Sequence, residues 1–182
     1  MKNKVLLIAV ILIVVVIALF VILKNNTKSH SPEAKASFAQ GDLKIEITYC
    51  QPYKKGRVIF SEPAEKVLQP YGSYWRLGAN EATIFDVNKN IMVNNQELKA
   101  GKYQIYAVPG KDVWKIYFNT DWDRWGATEA DHKTDVLQTE VPANNDASFE
   151  EQLKLTFENA DSTGNANLVI HWDKTLVKVP FK

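Results

Sequence analysis

The chain has 182 residues, 22 basic against 21 acidic, with 46% hydrophobic residues and one cysteine. That length leaves room for one ordinary domain and excludes separate cofactor and substrate lobes. Setting aside Lys2 and Lys4 takes the 22 basic residues to 20 against 21 acidic. This near-neutral balance gives no electrostatic case for nucleic acid, and the lone Cys50 excludes an internal disulfide or a multi-cysteine metal site.

Val5 to Leu23 is an unbroken apolar run of 19 residues without charge, proline or hydroxyl. At about 1.5 Å per residue it nearly matches a hydrocarbon core of about 30 Å. Lipid offers the backbone no hydrogen-bond partner, so such a run is expected to be a transmembrane helix. A cleaved signal has an apolar region of about 7–15 residues and a small-x-small cleavage site. Here the run is longer and leads into Lys24-Asn25-Asn26-Thr27-Lys28, which predicts an uncleaved, single-pass anchor in the lipid bilayer. Lys2 and Lys4 before it, against Lys24 and Lys28 after it, bias residues 1–4 slightly toward the cytoplasm. The folded part is then expected on the extracytoplasmic side. Residues 24–35, polar and containing Pro32, read as a tether.

From residue 36 to 182 the dominant signal is alternation. Leu43, Ile45, Ile47 and Tyr49 share one face of a strand, with Lys44, Glu46, Thr48 and Cys50 on the other. Pro63 to Leu68 is the one helical competitor, with space for one or two turns. Tyr103, Ile105 and Ala107 alternate with Gln104 and Tyr106, and Trp114, Ile116 and Phe118 with Lys115 and Tyr117. Leu153, Leu155 and Phe157 alternate with Lys154 and Thr156; Leu168, Ile170 and Trp172 follow, and Val177, Val179 and Phe181 close the chain. Turn residues punctuate these runs at Asn88-Lys89-Asn90, Asn94-Asn95, Ala100-Gly101, Pro109-Gly110 and Asp161 to Asn165. Many short half-buried strands predict an all-β domain, an antiparallel β-sandwich or jelly-roll.

Two segments carry unusual chemistry. Tyr49 to Arg57 ends a strand with a turn and an arginine. Tyr71 to Thr83 packs Trp75, Arg76, Asn80 and Glu81 around Gly72 and Gly78. The arginine fork suits a carboxylate or phosphate, and aromatic faces suit sugars, rings or cations. The expected site is a small polar pocket of Arg57, Arg76, Asn80 and Glu81, walled by Tyr53, Tyr74 and Trp75. The competing expectation is structural: Glu81 pairs with an arginine to fix the loop, and Trp75 fills the core.

The same residues carry a resemblance. Tyr49-x-x-Pro52-x-x-x-Gly56-Arg57-x-Ile59-Phe60, Pro70-Tyr71-Gly72 and Trp75-Arg76-x-Gly78-Ala79-Asn80-Glu81-Ala82-Thr83 are followed by Leu98-x-Ala100-Gly101-x-Tyr103 and Pro109. This order resembles an uncharacterised bacterial family, domain of unknown function 2911, from about Ser31 to the C-terminus. Ser61 to Leu68 is longer or more divergent than the family's usual link, and Cys50 stands where the family has serine. The resemblance implies a secreted or envelope-associated bacterial protein; together with the apolar run, the expected placement is an anchor in the cytoplasmic membrane with a periplasmic domain. It implies no activity, cofactor or catalytic residue.

Other chemistry is thin. Asp121 to Gly126 opens like a calcium loop, but Trp125 takes a position that needs an oxygen ligand. His30, His132 and His171 lack zinc spacing, and Cys50 has no adjacent base. Asp121, Asp123, Glu129, Asp131 and Asp135 read as a solvated acidic face, although a carboxylate pair for glycoside hydrolysis would draw on such residues. The leading expectation is non-catalytic binding of a small polar ligand, a glycan or an envelope protein, without metal or cofactor. The alternatives are an envelope hydrolase or isomerase using Glu81 as acid or base, and a structural scaffold of the envelope.

Overall fold

The alternating run Leu43 to Cys50 is a strand as expected, and residues 33–40, which begin inside the expected tether, pair with it. In the computed structural model, which describes residues 10–18, 27–64, 66–123, 128–159, 161 and 164–182, β1 (Glu33–Gln40) pairs antiparallel with β2 (Leu43–Cys50). Ala36 sits opposite Ile47 and Phe38 opposite Ile45, so four apolar side chains enter the core from one face. Lys44 and Glu46, on the other face, are exposed.

Antiparallel pairing continues through β5 (Ile84–Val87), β8 (Gly101–Val108), β9 (Val113–Asn119) and β10 (Asp135–Asn144), then β13 (Thr175–Phe181), β12 (Ala166–Asp173) and β11 (Glu150–Glu158). The short hairpin of β6 (Ile91–Val93) and β7 (Gln96–Leu98) attaches to β13. Its two-residue loop, Asn94-Asn95, has φ of 43° and 66°. Asparagine tolerates this left-handed backbone, and the resulting twist suits a tight hairpin.

The sheet turns on itself at β10. Asp135 to Pro142 pairs with β9, whereas Ala143 and Asn144 pair with β13. Pro142 cannot donate to a ladder, and it stands where the strand changes partners. The two ends of the sheet then approach each other. Phe38 of β1 packs on Phe157 of β11 with ring centroids 5.7 Å apart. Tyr49 Oη accepts a hydrogen bond from the Leu155 amide at 3.0 Å. The result is an all-β, nearly closed, barrel-like antiparallel sheet around one apolar core.

Two expectations change. The segment Pro63 to Leu68 forms no helix among its described residues: Lys66 lies in a turn, and Val67 begins β4 (Val67–Pro70), parallel to β3 (Val58–Ser61). So short a helix cannot offset its nucleation cost. Strand pairing instead lets Phe60 and Leu68 pack against the core. The second concerns β8, where Gln104 and Tyr106 are as buried as Tyr103, Ile105 and Ala107, because both faces of this strand are covered.

Residues 10–18 are helical and exposed. No helix among the described residues is long and apolar enough to cross a membrane. Both ends of the Val5 to Leu23 run lie outside the described residues.

Candidate functional site

The segment leaving β2 closes one end of the barrel. Tyr53 forms an isolated antiparallel bridge with Gln152, and the Lys54 amide donates to the Glu151 carbonyl at 2.7 Å. The chain reverses over Lys54 to Arg57, where the Arg57 amide donates to the Lys54 carbonyl at 3.1 Å. Lys55 and Gly56 have φ of 50° and 70°, which defines a left-handed turn and explains the glycine. Arg57 fastens this turn itself: Nε donates to the Lys54 carbonyl at 3.0 Å and Nη2 to the Tyr53 carbonyl. Its side chain is otherwise exposed.

The loop carrying the Trp-Arg motif is fixed at both ends. Trp75 and Ala107 exchange backbone hydrogen bonds of 2.8 Å in each direction. The Trp75 ring, 1% exposed, stacks on Trp172 at 5.9 Å and meets Trp114 and Phe60 edge-on at 5.7 and 5.3 Å. Its Nε1 donates to the Gly78 carbonyl at 3.3 Å. Thr83 Oγ1 donates to the Leu77 carbonyl at 2.9 Å, and Arg76 Nη1 to the Asn80 carbonyl at 2.8 Å. Leu77 and Asn80 both lie in the left-handed region, at φ of 54° and 59°. Leu77 there costs about 1–3 kcal/mol, a strain these bonds hold in place. A Cβ on Gly78 would come within 3.0 Å of the Cys50 carbonyl oxygen. Most of the motif therefore builds the loop.

Between turn and loop lies a cleft of about 550 Å³. Five of the seven expected residues line it: Tyr53, Arg57, Trp75, Arg76 and Asn80. Lys55 and His30 add to its rim, with Lys55 Nζ 3.4 Å from His30 Nδ1, and Trp172 adds a second indole. Among the described residues no carboxylate lines the cleft. Neither arginine pairs with a carboxylate among the described residues; their bonds run to backbone carbonyls. Acidic contacts occur at the turn, where Glu151 Oε1 accepts from the Lys55 amide at 2.8 Å and Lys54 Nζ pairs with Asp173 at 2.6 Å.

Glu81 and Tyr74 stand apart from it. Glu81 faces Lys28 Nζ at 3.6 Å and accepts from Cys50 Sγ at 3.5 Å, so the expected pairing with an arginine does not occur. A left-handed residue at Asn80 reverses the chain between Arg76 and Glu81 and separates their directions. Tyr74 packs on Tyr106 at 5.0 Å and accepts from Gln104 Nε2 at 2.8 Å. Cys50 is buried, and burial pushes its thiol above the ordinary range, which suits a passive side chain. His171 Nε2 is 2.8 Å from the Ser148 carbonyl. The calcium-like run is described only through Asp123; residues 124–127 lie outside the described residues.

Trp172, Lys55 and His30 were not expected in the site. Trp172 shares the core face of β12 with Leu168 and Ile170, and only the sheet's curl brings its edge to the cleft. Lys55 carries one available signal, its place beside Gly56 in a turn already holding Arg57.

The model of the family described as Protein of unknown function (DUF2911) matches residues 31–181. The chain belongs to that family. No curated protein and no solved structure matches it.

Proposed function

We propose that this member of a family without a described activity is a binding domain, and that its cleft takes a small ligand bearing a carboxylate or phosphate. The observation that carries this reading is the lining itself. Lys55, Arg57 and Arg76 converge on about 550 Å³ with no carboxylate among the described lining residues, above the edges of Trp75 and Trp172. A volume of this size falls within the ~300–1,000 Å³ typical of small-molecule sites. Arg76 spends one N–H on the Asn80 carbonyl and keeps the remainder of its planar fork for an anion. The aromatic floor favours a ligand with a ring beside its charge.

Titration calorimetry with matched pairs tests this reading, for example glucuronate against glucose and a sugar phosphate against its parent sugar. Binding confined to the anionic members, and weakened at least about tenfold in Arg76→Ala, supports it. Equal binding within each pair contradicts it.

The domain's placement outside the cytoplasm, on a single-pass anchor from Val5 to Leu23, is part of the same proposal. It is supported by the unbroken apolar run and the lysines flanking it. Alkaline extraction of membranes from cells making the native chain tests it: retention in the pellet is expected, and full release into the supernatant contradicts it. A hydrolase or isomerase centred on Glu81 has less support, since that carboxylate faces Lys28 and Cys50 outside the cleft.

A further inference from the structure

The outward faces of β8, β9 and β10 carry a second polar and aromatic assembly. Register places Gln104 opposite Asn119 and Asn119 opposite Asp135; in the adjacent row Tyr106 faces Tyr117, and Tyr117 faces Gln138. Tyr106 is wholly buried and stacks on Tyr117 at 4.7 Å with the rings 1° apart. Asp135 accepts from Tyr106 Oη at 2.7 Å, Asn119 Nδ2 at 2.8 Å and His132 Nδ1 at 2.9 Å. A β-bulge at Val136 turns the start of β10 outward beside these groups. A groove of about 500 Å³ results, lined by Tyr117, His132, Asp135, Val136, Gln138 and Gln96 among others.

We propose that this groove is a second binding site, distinct from the cationic cleft, and that it takes a neutral saccharide unit. The one carboxylate among its described lining residues, Asp135, is already engaged by three donors and is not left bare for a cation. Among the described residues no lysine or arginine lines the groove, and His132 is the one group there that an anion could pair with. What it offers instead are neutral polar groups around a ring. Tyr117 Oη and the Gln138 carboxamide form no hydrogen bonds among the described residues. Gln96 commits Nε2 to the Gln138 carbonyl at 2.9 Å and retains its oxygen as an acceptor. A pyranose has the complementary form, an apolar C–H face for the ring with hydroxyls at its edge. The stack on buried Tyr106 and the Asp135 bonds hold Tyr117 and His132 in place before any ligand arrives, which lowers the ordering cost of binding.

The test is titration calorimetry on the full-length chain, kept in a detergent without a sugar headgroup, with cellobiose, N,N′-diacetylchitobiose and maltose as probes. At least one should bind, with affinity reduced about tenfold or more in Tyr117→Ala, retained in Tyr117→Phe and reduced about threefold or more in Gln138→Ala. If Tyr117→Ala does not fold, the exposed Gln138→Ala decides. No binding by any probe up to about 10 mM, or unaltered binding in Gln138→Ala and in a folded Tyr117→Ala, overturns the proposal. Loss in Arg76→Ala with no change in Gln138→Ala also overturns it, by assigning the sugar to the other cleft.

Discussion

Trp75 and Ala107 exchange a pair of 2.8 Å backbone hydrogen bonds, and this bridge sets the geometry of the cleft. It holds a loop residue against a central strand, drives the indole into the core and leaves the next residue, Arg76, along the cleft wall. Core packing and ligand contact are thus assigned to neighbouring residues, which makes their substitutions separable.

Trp75→Ala is expected to cost about 3–5 kcal/mol of stability, since it removes a fully buried ring from contacts with Trp172, Trp114 and Phe60. Urea denaturation of the domain measures it. A loss below about 1 kcal/mol would contradict the packing described.

Arg76→Ala is expected to act in the opposite manner. It removes one part-buried hydrogen bond to a backbone carbonyl, worth about 1 kcal/mol, yet it removes a principal anion donor of the cleft. Parallel denaturation and ligand titration should show a nearly normal midpoint with at least about tenfold weaker binding.

Two glycines near the cleft separate strain from crowding. Gly56 has φ of 70° with open space around it, so Gly56→Ala costs only backbone strain, roughly 1–2 kcal/mol. A methyl on Gly78 meets the Cys50 carbonyl oxygen at 3.0 Å and Thr83 Oγ1 at 3.2 Å. Gly78→Ala is expected to cost about 1–3 kcal/mol and to shift the Trp-Arg loop. Crystallography of both variants checks this: the loop around Leu77 moves only in the second.

Stability should also depend on His132. Its hydrogen bond to Asp135, aided by Glu129, raises its pKa above the ordinary histidine value. A folded pKa above the unfolded value means a contribution fully present below about pH 6.5 and lost as pH rises through the folded pKa. The difference in thermal midpoint between wild type and His132→Gln should therefore be largest in mild acid and shrink toward about pH 9. A difference independent of pH contradicts the ion pair.

Much of the strand framework is legible in the sequence because each half-buried strand writes its own two-residue period. Ile45 and Ile47, or Trp114 and Ile116, reveal their inward faces without knowledge of any partner. Gln104 and Tyr106 do not, because what buries them is the covering of the sheet's outer face. The cleft is legible in the same proportion. Tyr53 and Arg57 share one tight turn, and Trp75 and Arg76 one anchored bridge, so proximity in sequence stands for proximity in space. Tyr74 and Glu81 are as close in sequence but leave in other directions, since Leu77 and Asn80 adopt left-handed backbone and abolish any simple alternation. Trp172 and the Tyr106, His132 and Asp135 assembly depend on pairings across the chain that no local pattern records.

The chain has three arginines, Arg57, Arg76 and Arg124, and two of them line the cleft. Guanidinium Nε–H resonances in a nitrogen-labelled sample therefore report on the site almost without overlap. Titration with glucuronate and with inorganic phosphate should shift the Arg57 and Arg76 signals along a saturable curve. Non-saturating drift of the Arg57 and Arg76 signals would contradict an anion-binding cleft.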